Sequence, residues 1–179
     1  QAVGALPEAY LRKLVIELAQ RDEALKDQLL SEYEERRQHR RKEDIRREIR
    51  RIMMRHVDPQ EGVAHESYVE AMKRILRIHM EVLMEHGDFL SAFELVCAVF
   101  VQSGNQELSE TDGEELARVC CACWEKVASR GGSGVRLVMR EWLSLHGTDG
   151  TVNALFEDHA RTFYRQLLEI EEAQAGSAA

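Results

Sequence analysis

Proline is nearly absent from this chain, with Pro7 and Pro59 its only two in 179 residues. A proline in a helix interior costs about 3 kcal/mol, so its confinement to two places leaves long stretches open to helix. Apolar residues at helical spacing fill those stretches. Leu11, Leu14, Val15 and Leu18 follow the i, i+3, i+4, i+7 pattern of one helix face, with Pro7 suited to its first turn. Asp22 is a candidate N-cap for a second helix carrying Leu25, Leu29, Leu30 and Tyr33, and so short a connection is expected to lay the two helices back to back.

A third helix is expected from Lys42 to Val57 on Ile45, Ile49, Ile52 and Met53, broken by Asp58-Pro59-Gln60-Glu61-Gly62. A fourth runs from Ala64 to His86 with Tyr68, Met72, Ile75, Leu76, His79 and Leu83 on one side. Gly87 ends it and Asp88 caps a fifth, whose Phe89, Ala92, Phe93, Val96, Cys97, Val99, Phe100 and Val101 make it the expected centre of the core. Thr111-x-x-Glu114 reads as a capping box before Leu116, Val119, Cys120, Cys123, Trp124 and Val127. Gly131-Gly132-Ser133-Gly134 then leads into Val135, Val138, Trp142 and Leu143. A last helix carries Val152, Leu155, Phe156, His159, Phe163, Leu167 and Ile170.

The expected fold class is therefore all-α, with antiparallel helical hairpins stacked as an α-α superhelix or right-handed helical array. Gly87 and Ser133 open the second helices of two hairpins about 46 residues apart, within the period range of HEAT-like repeats. One domain is expected over residues 1–172, made of N-terminal helices 7–57 and a hairpin core 63–172, with a disordered tail at 173–179. The longest apolar run, Leu95 to Val101, falls well short of the roughly 18 to 20 residues of a membrane span. With no secretory signal in Gln1 to Tyr10, a cytoplasmic protein without membrane partners is expected. The missing initiator Met suggests a piece of a longer chain, or a processed or trimmed one.

Charge is distributed unevenly. Arg36, Arg37, Arg40, Arg41, Lys42, Arg46, Arg47, Arg50, Arg51 and Arg55 stand against Glu43, Asp44 and Glu48, a local charge of +7 in a chain of −8. The nine arginines form the candidate interaction surface. Such a helix can track phosphates and release counterions; it can equally be a solvated face that neutralises Glu17, Asp22, Glu23, Asp27, Glu32, Glu34 and Glu35. The stretch has no aromatic side chain on which a base could stack.

Cys97, Cys120, Cys121 and Cys123 are too few and too clustered for a disulfide framework and read as reduced core thiols with no disulfide partner. Cys120-Cys121-x-Cys123 lacks the paired knuckles of a structural zinc site. His79 and His159 sit on apolar faces and read as hydrogen-bonded core residues, and His65-Glu66 does not extend to H-E-x-x-H, since position 69 is Val69. Phosphate-cradling, dinucleotide-binding and nucleophile-elbow motifs are missing. No catalytic residue, metal or cofactor is therefore assigned, and Gly131 to Gly134 reads as a linker.

Leu11 to Leu30, with a short helix, an acidic turn and an Ala24-Leu25…Leu29-Leu30 helix, resembles the helical region that follows the zinc finger in bacterial SWIM zinc-finger proteins. His86-Gly87-Asp88-Phe89-Leu90-Ser91-Ala92-Phe93-Glu94-Leu95 is similar to that region's later G-x-x-x-x-A-x-E-L step, a common tetratricopeptide-like device. The family's zinc-binding C-x-C…C-x-H pattern is not in this chain. The resemblance implies a finger upstream of Gln1 and places no zinc ligand here. The resulting expectation is a non-enzymatic scaffold that packs against another protein or an adjacent domain of its own chain, with a nucleic-acid-binding module on the arginine helix as the alternative.

Overall fold

In a computed structural model, residues 8–58, 64, 67–146 and 150–177 are described. They form an all-α protein of seven helices: α1 (Glu8–Arg21), α2 (Glu23–His56), α3 (Ser67–Glu85), α4 (Phe89–Gly104), α5 (Glu110–Arg130), α6 (Ser133–His146) and α7 (Ala154–Ser177). The only β pairing among the described residues is an isolated bridge between Val57 and Ala64. Among the described residues, no helix is long and apolar enough to cross a membrane.

The chain divides into two compact units, Gln1–Asp44 and Ile45–Ala179, where the sequence suggested one domain with its internal boundary at Asp58–Gly62. The second and third expected helices are in fact one, α2, of 34 residues. Residues 34–44 carry no apolar stripe, but neither do they carry a glycine or proline. Their Arg, Lys, Glu and Gln side chains have good helix propensity, so nothing stops the helix there.

In the first unit, α1 and α2 do not form a hairpin. The Asp22 N–H donates to the Leu18 carbonyl at 3.0 Å, the Lys26 N–H donates to the Asp22 carbonyl at 3.1 Å, and Asp22 Oδ1 caps the Leu25 N–H. Four-residue bonding thus continues on both sides of a one-residue break, whereas an αα-hairpin needs a loop of about 2–5 residues. Leu14, Val15, Ile16 and Leu18 of α1 accordingly stay 39–51% exposed.

In the second unit, α4 and α5 each pack against α3, α6 and α7 as well as each other. Connections of a few residues join α3 to α4 and α5 to α6, which favours packing between sequence neighbours. The core runs from Ile45 and Ile49 of α2 to Phe163 and Leu167 of α7. As expected, α4 is its centre: Ala92, Val96, Val99 and Phe100 have no exposed surface, though Leu90 is 45% exposed. Around it gather Trp124, whose ring centroid is 4.7 Å from Phe100, 5.5 Å from Phe163 and 5.6 Å from Trp142. Tyr68 and Ser103 share a buried hydrogen bond of 3.2 Å between α3 and α4, and burial pushes the Tyr68 phenol up to about 12.

The caps differ in one place from expectation. Asp88 accepts from the Ser91 N–H and begins α4 as expected. The N-cap of α5 is Ser109, whose Oγ accepts from the Asp112 N–H and donates to Asp112 Oδ2, in place of Thr111. Starting two residues earlier puts Gly113 inside the helix against Leu155 and frees Glu114 for an inter-helix contact. α7 runs to Ser177, past the apolar periodicity that ends at Ile170.

Candidate interaction surfaces

Two surfaces stand out, both built on the second unit's helices. The first is the arginine face of α2. Ile45 and Ile49 are buried, Ile52 and Met53 pack against the core, and this fixes which way the helix faces. Arg46, Arg47, Arg50, Arg51 and Arg55 are consequently exposed. Arg36, Arg37, Arg40 and Arg41 lie on the same continuous helix, but their side chains are outside the described residues. The one acid between Arg46 and Arg55, Glu48, is drawn to α3, where its Oε2 lies 2.9 Å from His79 Nε2.

The second surface was not apparent from the sequence. α3 and α5 lie side by side, and between them opens a cleft of about 1220 Å³. Leu76, Met80, Met84, Val119 and Cys123 supply its apolar lining. Lys73 bridges its two walls, donating to Glu115 Oε1 at 2.7 Å and to Glu70 Oε1 at 2.6 Å, with Glu115 and then Glu70 raising the ammonium pKa. Arg74, Arg77, Lys126 and Arg130 also line the cleft and are exposed. Among the described residues none of these four has a carboxylate at ion-pair distance. Glu81 and Glu85, further along α3, line it too.

The histidines of the apolar faces are hydrogen-bonded, as expected, but to carboxylates of neighbouring helices. His79 meets Glu48, and His159 Nε2 meets Glu114 Oε2 at 2.9 Å, joining α7 to α5. The His159 pairing, followed by Arg118, holds the Glu114 carboxyl below its ordinary value. Cys121 lies near this pair, yet its thiol is directed at the His159 backbone carbonyl, 3.9 Å away, and not at the ring. Burial, then the Glu114 charge, pushes Cys121 up to about 12, so the Cys121, His159, Glu114 grouping does not create a nucleophilic thiolate.

The remaining thiols are shifted in the same direction, to different extents. Burial drives Cys97 and Cys120 well above the ordinary thiol value and raises Cys123 as well. All four are free of disulfides. No group of three or more His, Cys, Asp or Glu among the described residues could hold a metal ion. His65 and Glu66 fall outside the described residues. The glycine run does join two helices: Gly131 and Gly132 make the turn and Gly134 already lies in α6. Comparison with known protein families, characterised proteins and solved structures finds nothing that matches this chain.

Proposed function

We propose that this chain is a non-enzymatic helical scaffold that holds a partner protein, or an adjacent domain of its own chain, in the cleft between α3 and α5. The observation that supports this reading is the cleft itself: an open trough lined by half-buried Ala71, Val119 and Cys123 and by exposed charged side chains of both helices. Such troughs between helices are a common seat for an amphipathic helix. The raised thiols and the carboxylate-bound histidines favour structural roles for the groups that would otherwise suggest catalysis. The two segments that resemble the SWIM-associated region support a place in a longer zinc-finger protein, and four reduced thiols suit a cytoplasmic setting.

The test is a titration of the isotopically labelled chain with helical peptides of differing charge, read by amide shifts. Perturbations confined to α3 and α5 are expected; their absence with every peptide would overturn the reading.

A second reading, nucleic-acid binding along α2, draws support from Glu48. Its pairing with His79 turns the intervening acid toward α3 and leaves an arginine face exposed. Filter binding distinguishes the two. Steeply salt-dependent affinity for DNA or RNA, lost when Arg46, Arg47, Arg50 and Arg51 are changed to Glu, would favour this second reading.

A further inference from the structure

We infer that the occupant of the α3–α5 cleft is an amphipathic helix with acidic flanks, an inference that rests on the scaffold reading above. The shape argues for a helix. On α3 the lining residues recur at one-turn intervals from Glu70 through Arg74, Arg77 and Glu81 to Glu85, a length of about 22 Å at 1.5 Å per residue. On α5 they are Val119, Cys123, Lys126 and Arg130, a single stripe of about 16 Å. A trough that long between two helices matches a third helix of three to four turns, whereas a compact ligand would occupy only part of it.

The walls decide which helix. Over the buried Leu76, Met80 and Met84, the half-buried Ala71, Val119 and Cys123 offer the apolar floor on which anchors arriving at i, i+3, i+4 and i+7 could rest. Beside them, Lys73 already holds two carboxylates, but among the described residues Arg74, Arg77, Lys126 and Arg130 hold none. The five lining cations, Lys73, Arg74, Arg77, Lys126 and Arg130, outnumber the three lining acids, Glu70, Glu81 and Glu85, which makes the cleft net cationic in a chain whose net charge is −8. Complementary charge steers encounter and rejects like-charged partners. An acid-flanked helix satisfies the arginines, while its apolar stripe covers Ala71, Val119 and Cys123. Nucleic acid fits the cleft poorly, because no Phe, Tyr or Trp lines it on which bases could stack.

The experiment uses three fluorescein-labelled peptides of about 18 residues, ~27 Å as helices. One carries a leucine stripe flanked by Glu, the second has Lys in place of each Glu, and the third keeps Glu but has Ser in place of each Leu. Fluorescence anisotropy with the full chain is expected to detect the first alone. Arg74→Glu/Arg77→Glu and Lys126→Glu/Arg130→Glu should each weaken it by about tenfold or more, and the combined reversal should bind the Lys peptide instead. All four positions are exposed, and circular dichroism checks that the variants stay folded. Equal binding of the Glu and Lys peptides overturns the acidic occupant and leaves the scaffold reading standing. Binding that the charge reversals leave unchanged also overturns it. Failure of all three peptides overturns both.

Discussion

His79 Nε2 lies 2.9 Å from Glu48 Oε2, and this pair fastens the C-terminal part of α2 to the middle of α3. The Glu48 side chain is 46% exposed and that of His79 26%, so water screens much of the attraction. A double-mutant cycle with Glu48→Gln and His79→Ala, followed by urea unfolding, should give a coupling of about 0.5 kcal/mol, at most about 1. A coupling near zero would mean that the packing of Ile45, Ile49, Ile52 and Met53, with the His56–Ser67 hydrogen bond, holds the helix in place without this pair.

Much of the fold was legible because α3, α4, α5 and α7 bury wide faces at helical spacing, whereas α6 buries only Met139 and Leu143 and leaves the expected Val138 42% exposed. Phe93, Val96 and Phe100, or Leu116, Cys120 and Trp124, occupy the positions that periodicity assigned to the core. What misled lay at helix ends. The absence of apolar residues at 34–44 looked like a gap between helices, but a helix needs a breaker to stop and none is there. Ser109-x-x-Asp112 and Thr111-x-x-Glu114 are overlapping cap patterns, and tertiary contacts of Gly113 and Glu114 chose between them. The cleft was illegible for another reason. Arg74, Arg77, Lys126 and Arg130 are scattered along the sequence, and only the packing of α3 on α5 brings them to one trough.

Trp124 is fully buried and its indole contacts the rings of Phe93, Phe100, Trp142 and Phe163. Trp124→Ala should cost about 3–5 kcal/mol, the range for deleting a large aromatic from a packed core. Chemical denaturation measures it, and a loss under about 1 kcal/mol would show that the neighbouring rings collapse into the space.

Two glycines should respond to alanine in opposite directions. A Cβ at Gly104 would lie 2.6 Å from Val152 Cβ, beside the bond in which the Asn153 N–H donates to the Gly104 carbonyl. Gly104→Ala should therefore destabilise by about 1–3 kcal/mol, with partial recovery on adding Val152→Ala. Gly134 sits in α6 with nothing within 4 Å of its added Cβ. Gly134→Ala should stabilise by about 0.5–1 kcal/mol. Thermal melts of the three variants separate these outcomes.

Glu114 carries a pH signature. His159, first, and then Arg118 lower its carboxyl pKa in the folded state relative to the unfolded chain. A depressed carboxyl contributes stability that is fully present above the unfolded value, and that stability is lost as pH falls through the lower folded value. His159→Ala should move the Glu114 titration back toward the ordinary carboxylate range and flatten the acid limb of the stability profile. Carbon-detected NMR titration of the side-chain carboxyl tests this, and an unmoved midpoint would assign the shift to Arg118.

The four thiols differ in how hidden they are, and their reactivity should follow. Cys97 and Cys120 are buried among core residues, and burial pushes both far above the ordinary thiol value. Cys121 is raised to about 12, and Cys123, which is half-buried in the cleft wall, is raised with Lys126 partly opposing. Since the thiolate is the reactive form, an aromatic disulfide reagent near neutral pH should modify Cys123 first and Cys121 more slowly. Cys97 and Cys120 should react only at the rate of unfolding. Mass spectrometry of the quenched reaction identifies the order. A peptide seated in the cleft should then protect Cys123 selectively, because that thiol is one of the side chains its apolar stripe would cover.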